Sequence, residues 1–177
     1  MKKVYTRLFS RYIGSVLIAL MISATTNAQY YTSVGLRLGK FASGVSVKYF
    51  FDANNATGIE VIAAKTKTAR GGYVVTGLYE SQTPIRMPIL QIPLDIVFGG
   101  GVHAGYFPEG YYRLRDGEMI AYGPKVYTVG IDAILGLEYK VPIAPFTIGV
   151  DAQPFYDLIN PGPEYIDFSV AVRYVFE

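Results

Sequence analysis

Between Tyr127 and Tyr139 the sequence reads Y-T-V-G-I-D-A-I-L-G-L-E-Y. Val129, Ile131, Ala133, Leu135, Leu137 and Tyr139 fall on one side of an extended chain, and Thr128, Gly130, Asp132, Ile134, Gly136 and Glu138 on the other. Side chains of a strand alternate across the sheet. The stretch therefore predicts one strand with an apolar face and a face of glycines and carboxylates. No packing of helices satisfies this period, and 19 glycines and 10 prolines oppose long helices elsewhere.

The same alternation recurs along the chain. A first strand is predicted from Thr32 to Gly39, a second from Gly44 to Asp52, a third from Thr57 to Lys65 and a fourth from Gly72 to Ser81. Three prolines between Gln82 and Pro93 bar a central strand there. A fifth strand runs from Leu94 to Phe107, the sixth is the stretch above, a seventh spans Phe146 to Phe155 and the last spans Ile166 to Phe176. Strong turn chemistry lies at Asp52-Ala53-Asn54-Asn55 and Asn160-Pro161-Gly162-Pro163. Pro108–Lys125 and Tyr156–Tyr165 are read as loops. The fold class that follows is all-β: an eight-stranded antiparallel up-and-down transmembrane β-barrel. Its even strand number lets the sheet close without an edge.

The first 28 residues read as a targeting segment. Lys2, Lys3, Arg7 and Arg11 precede an apolar run from Ile13 to Ile22, and Thr26-Asn27-Ala28 offers a small-x-small cleavage pattern before Gln29. Residues 1–28 are thus a signal peptide and 29–177 the barrel domain. Loss of those four basic residues takes the formal charge from +2 to −2, so no basic excess remains to attract nucleic acid. The absence of cysteine excludes disulfides and thiolate metal sites.

Which face meets lipid is decided by the other face. It is rich in glycine: Gly35, Gly39, Gly99, Gly101, Gly105, Gly130, Gly136 and Gly149. It also carries charges of both signs: Arg37, Lys48, Glu60, Glu80, Asp95, His103, Asp132, Glu138, Asp151, Asp167 and Arg173. A solvent-facing strand gains nothing from glycine. Inside a narrow barrel, small residues make room for large ones, and opposite charges pair. The expected arrangement is a barrel-interior polar network with the apolar face in lipid. A soluble secreted ligand-binding barrel is the competing arrangement, with oily residues inside. Tyr31, Tyr49, Tyr79, Tyr106, Tyr139 and Tyr174 sit where an aromatic girdle belongs.

Signal peptide, eight alternating strands and the closing segment Val170–Phe176 together resemble the small outer-membrane β-barrel proteins of Gram-negative bacteria. F-G-G-G-V-H-A-G at Phe98–Gly105 and G-I-D-A-I-L-G-L-E-Y at Gly130–Tyr139 resemble a group of such barrels with no assigned activity. The resemblance implies an outer-membrane address, lipid as the surrounding partner, and recognition of the C-terminal strand by the barrel-assembly machinery. Here Phe176 is penultimate. A monomer without cofactor is expected.

Three motifs carry less. Gly99–Ala104 fits G-x-G-x-x-A, but a dinucleotide fingerprint needs a helix after it and a strand continues here. Asn55-Ala56-Thr57 matches a glycosylation sequon within a short turn. His103, the one histidine, suggests acyl transfer in a lipid-modifying barrel enzyme, or an interior contact with Asp95 or Asp132. The interior contact is the simpler reading, since no serine lies near it in sequence. Tyr111, Tyr112, Arg113 and Arg115 are the candidate loop-binding residues. The functional expectation is a non-enzymatic outer-membrane barrel, structural or surface-binding through its outer loops.

Overall fold

The structure is a computed structural model that describes residues 32–51, 57–67, 71–85, 94–110, 112–115, 118–162 and 165–176. The expected leader lies outside them, as do Tyr31, Tyr111 and the Asn55 sequon. The strands are β1 (Thr32–Gly39), β2 (Ala42–Phe50), β3 (Thr57–Thr66), β4 (Gly72–Pro84), β5 (Leu94–Phe107), β6 (Tyr112–Arg115), β7 (Glu118–Ala121), β8 (Val126–Lys140), β9 (Phe146–Ile159) and β10 (Ile166–Phe176). Eight of them close a barrel in the order β1-β10-β9-β8-β5-β4-β3-β2. Each is antiparallel to its neighbours, and β1 closes on β10 from Thr32↔Phe176 to Gly39↔Ser169. β6 and β7 form a separate hairpin within the β5–β8 connection.

Period-two alternation sets the register. Leu38, Val170, Val150, Leu137 and Ile96 lie side by side across five strands on the outer face. Leu38 and Leu135 are each 62% exposed, whereas Lys48 is 2% and Glu60 0% exposed. The polarity of an ordinary soluble core is inverted, which excludes the soluble barrel with an oily interior. A continuous apolar exterior on a closed sheet suits lipid, where every backbone group must be paired within the wall. Aromatic side chains ring both ends. At the end where Thr32 pairs with Phe176, Phe146 packs on Tyr174 at 5.4 Å and Phe51 stacks on Tyr79 at 6.4 Å. At the other end, Tyr106 meets Tyr127 at 4.9 Å and Tyr156 stacks on Tyr165 at 6.4 Å.

Four expectations need correction. β2 begins two residues earlier than predicted, because Ala42 and Ser43 already pair with Thr66 and Lys65. β4 runs on to Pro84, which is tolerated as the last residue of its strand. β9 continues through Pro154 to Ile159, so residues 156–159 are strand rather than loop. Pro154 has no N–H to give. The β8–β9 ladder keeps its register from Asp132↔Phe155 to Leu135↔Ala152 but lacks the two pairs between them, and it shifts separately in a bulge at Val129/Gly130. Finally, the segment read as a plain loop between Pro108 and Lys125 contains the β6–β7 hairpin.

Candidate functional site

The inward side chains stack in layers. Nearest the termini lies a cluster built by five strands: Ser46 and Lys48 from β2, Glu60 from β3, Glu80 and Gln82 from β4, Glu138 from β8 and Arg173 from β10. Lys48 Nζ stands 2.8 Å from Glu80, 3.2 Å from Glu138 and 3.7 Å from Glu60. Arg173 donates from Nη2 to Glu60 at 2.5 Å, from Nη1 to Glu138 at 3.1 Å and from Nε to Ser46 at 2.9 Å. Charges this deep in low dielectric persist only when paired, and the two cations are shared among three carboxyls. Asp95 lies lower still and pairs with Lys140 at 3.2 Å.

An apolar tier of Ile62, Leu78 and Ile134 follows. Beyond it a second polar layer joins β1, β5, β8, β9 and β10. Arg37 spans Asp151 at 2.6 Å and Asp167 at 3.1 Å. His103 places Nδ1 2.8 Å from Asp132 and Nε2 2.7 Å from Asp157. Gln153 donates to Asp132, Ser169 to Asp151, the Phe41 amide to Asp167 and the Gly162 amide to Asp157. All eight carboxylate oxygens of this layer thereby have a partner. Phe107 and Val126, with Phe41, Val74 and Tyr122 against them, cap the stack.

Two glycines make this packing possible. A Cβ on Gly130 would lie 2.4 Å from His103 Cε1, and one on Gly39 would lie 2.2 Å from Asp167 Oδ2. The absent side chain at each position is the space that the imidazole or the carboxylate occupies.

All eleven residues expected in the interior network point into the barrel, in three groups. Lys48, Glu60, Glu80, Glu138 and Arg173 form the first layer; Arg37, His103, Asp132, Asp151 and Asp167 the second; Asp95 stands apart with Lys140. Asp95 is therefore not a partner of His103, because it sits at the opposite end of β5. Five side chains of the layers lie outside that set: Asp157, Gln82, Ser46, Gln153 and Ser169. Asp157 continues the alternation of Asp151 and Gln153, but lies beyond Pro154 in the stretch read as loop. Of the loop candidates, Tyr112, Arg113 and Arg115 fall in β6.

No protein-family model matches the sequence, and no curated protein matches it either. Solved structures do. The N-terminal β-barrel domain of Pseudomonas aeruginosa OprF superposes with a TM-score of 0.57 at 12% identity, covering 82% of this chain and 97% of that one. The fold is that of the outer-membrane eight-stranded barrels. Weaker likenesses are to Ail, the attachment invasion locus protein of Yersinia pestis (TM-score 0.44, 14% identity, 83% and 97% covered), and to the outer-membrane protein OprG of Pseudomonas aeruginosa (TM-score 0.45, 12%, 84% and 95%).

Proposed function

We propose that the mature chain, residues 29–177, is an integral barrel of a Gram-negative outer membrane, exported behind a cleaved leader. Its closed lumen serves rigidity, and its outer connections serve binding. The observation that carries this reading is the double ionic plug. Two polar layers with an apolar tier between them cross a lumen that eight strands make only wide enough for side chains. A conducting role fits such an interior poorly. A lipid-modifying role fits it no better. Both ring nitrogens of His103 already face aspartate oxygens, so neither is free to take a proton from a hydroxyl nucleophile.

Thr32 and Phe176 lie at one end, which the export route assigns to the periplasm. The β5–β8 connection, with its hairpin, then faces the exterior and is the longest there. Tyr111, Tyr112, Arg113 and Arg115 suit a saccharide, phosphate or protein surface. Lipid surrounds the barrel, and the assembly machinery reads β10.

One pair of proteins tests the reading: the full chain, and a barrel in which residues 111–120 are replaced by a short Gly-Ser link. Envelope components retained by the first and lost by the second support surface binding, and identical captures overturn it. Large steady conductance steps in a planar bilayer would overturn the closed lumen. Altered envelope lipids on expression, reversed by His103→Ala, would favour the enzyme.

A further inference from the structure

The two polar layers differ in one respect. Every carboxylate oxygen of the Arg37–His103 layer has a donor, but in the Lys48–Arg173 layer four buried acceptors have none: Glu60 Oε2, both oxygens of Glu80 and Gln82 Oε1. Lys48 Nζ stands 2.8 Å from Glu80 Oε2, yet it is not aligned to donate there. Its directed bond goes to Glu138. Glu60 and Glu80 are both 0% exposed, and both crowd the same ammonium. The charges do not balance either. Lys48 on β2 and Arg173 on β10 face Glu60 on β3, Glu80 on β4 and Glu138 on β8, leaving one negative charge over. β5 adds no charge at this level, and its Asp95 lower down is matched by Lys140. Three of the four oxygens of this carboxylate pair lack a donated hydrogen and the layer is short of one positive charge; leaving buried polar atoms unpaired is costly.

We propose that the Glu60–Glu80 pair is a proton-binding site, holding one proton between its carboxyls in the folded barrel. A single proton supplies the missing donor and brings the layer to neutrality. A hydroxyl on Glu80 donates to Glu60, while Glu60 keeps its ionic bond to Arg173 and Glu138 stays ionised on Lys48 and Arg173. A cavity of about 200 Å³ at the end where Thr32 and Phe176 lie is lined by Ser33, Phe50, Glu138, Lys140 and Thr147, and so reaches the layer at Glu138. The consequence is a plug that titrates. The folded barrel binds one proton more than the unfolded chain, whose glutamates are ionised at neutral pH. Stability therefore falls as pH rises, by about tenfold per pH unit in the unfolding equilibrium while the proton is retained.

The test is infrared spectroscopy of the folded full-length barrel in detergent, in H2O and D2O. The expected result is a protonated-carboxyl C=O band that shifts in D2O, disappears in Glu80→Gln and persists in Asp132→Asn. An amide at position 80 carries its own hydrogen. Glu80→Gln should therefore stay folded, with its resistance to heating on an unboiled gel independent of pH where the wild type weakens toward alkaline pH. Absence of the band in the wild type, or its survival in Glu80→Gln, overturns the proposal. So does wild-type stability that responds to sodium ions but not to pH, which would place a metal cation where we place the proton. Should Glu80→Gln not fold, wild-type Glu carboxyls labelled with 13C decide the matter by whether the band moves with the label.

Discussion

Arg173 shows how much one side chain holds. Its three donors reach β2, β3 and β8, so removing it leaves Glu60, Glu80 and Glu138 to share Lys48 alone in a dry interior. Breaking a buried ion pair from one side costs about 3–5 kcal/mol. Arg173→Met should lower the unfolding free energy by that amount in a urea titration in lipid vesicles, and a loss below about 1 kcal/mol would mean that water relieves the carboxylates. The glycines make a second comparison at this scale. At Gly130 an added side chain meets Tyr156 O at 2.3 Å and the His103 ring, whereas at Gly77 nothing lies within 4 Å. Overpacking costs about 1–3 kcal/mol. Gly130→Val should be destabilised by that much and Gly77→Ala by almost nothing, with the difference read as the temperature at which the compact band is lost on unboiled gels.

Each barrel strand is a two-sided object, and β8 separates its sides most cleanly. Leu135 is 62% exposed in the middle of the outer belt, with Ile134 and Asp132 turned inward. A cation at the bilayer midplane of such a face costs about 2–4 kcal/mol. Leu135→Arg should lose that much stability in lipid vesicles, and a neutral result would mean that this face does not meet hydrocarbon. The same two-sidedness made β1, β5 and β10 readable to their terminal residues, because their outward positions are apolar or glycine along almost the whole length. It failed at proline. Pro84 read as a stop, but it only ends its strand; the strand predicted to end at Phe155, just past Pro154, runs on to Ile159, because Pro154 is exposed on the outer wall, where a missing ladder bond leaves the strand intact. Asp157 was lost with the end of β9, and with it the second partner of His103. The hairpin had a local signal that went unused: Asp116-Gly117 between Tyr112–Arg115 and Glu118–Ala121 is a two-residue turn sequence. The pairing of particular charges was not readable at all. Alternation says that Asp95 and Asp132 both face inward, but only strand tilt and shear decide that one meets Lys140 and the other His103.

Across the whole molecule, closure of the wall and closure of the lumen are separate properties. The wall depends on backbone pairing around eight strands, β1 on β10 last. The lumen depends on side chains arranged in series: the Lys48–Arg173 layer, the Ile62–Leu78–Ile134 tier, the Arg37–His103 layer and the aromatic cap. Blocks in series are redundant for conduction, since ions must pass all of them, but not for stability, since each layer contributes its own bonds. The double variant Lys48→Ala with Arg173→Ala should therefore unfold more readily yet stay silent in a planar bilayer. Steady conductance should appear only when Arg37→Ala, Ile62→Ala and Leu78→Ala are added in the same chain. If the double variant alone conducts, the Arg37–His103 layer is not sealed, and the lumen is gated by the Lys48–Arg173 layer alone.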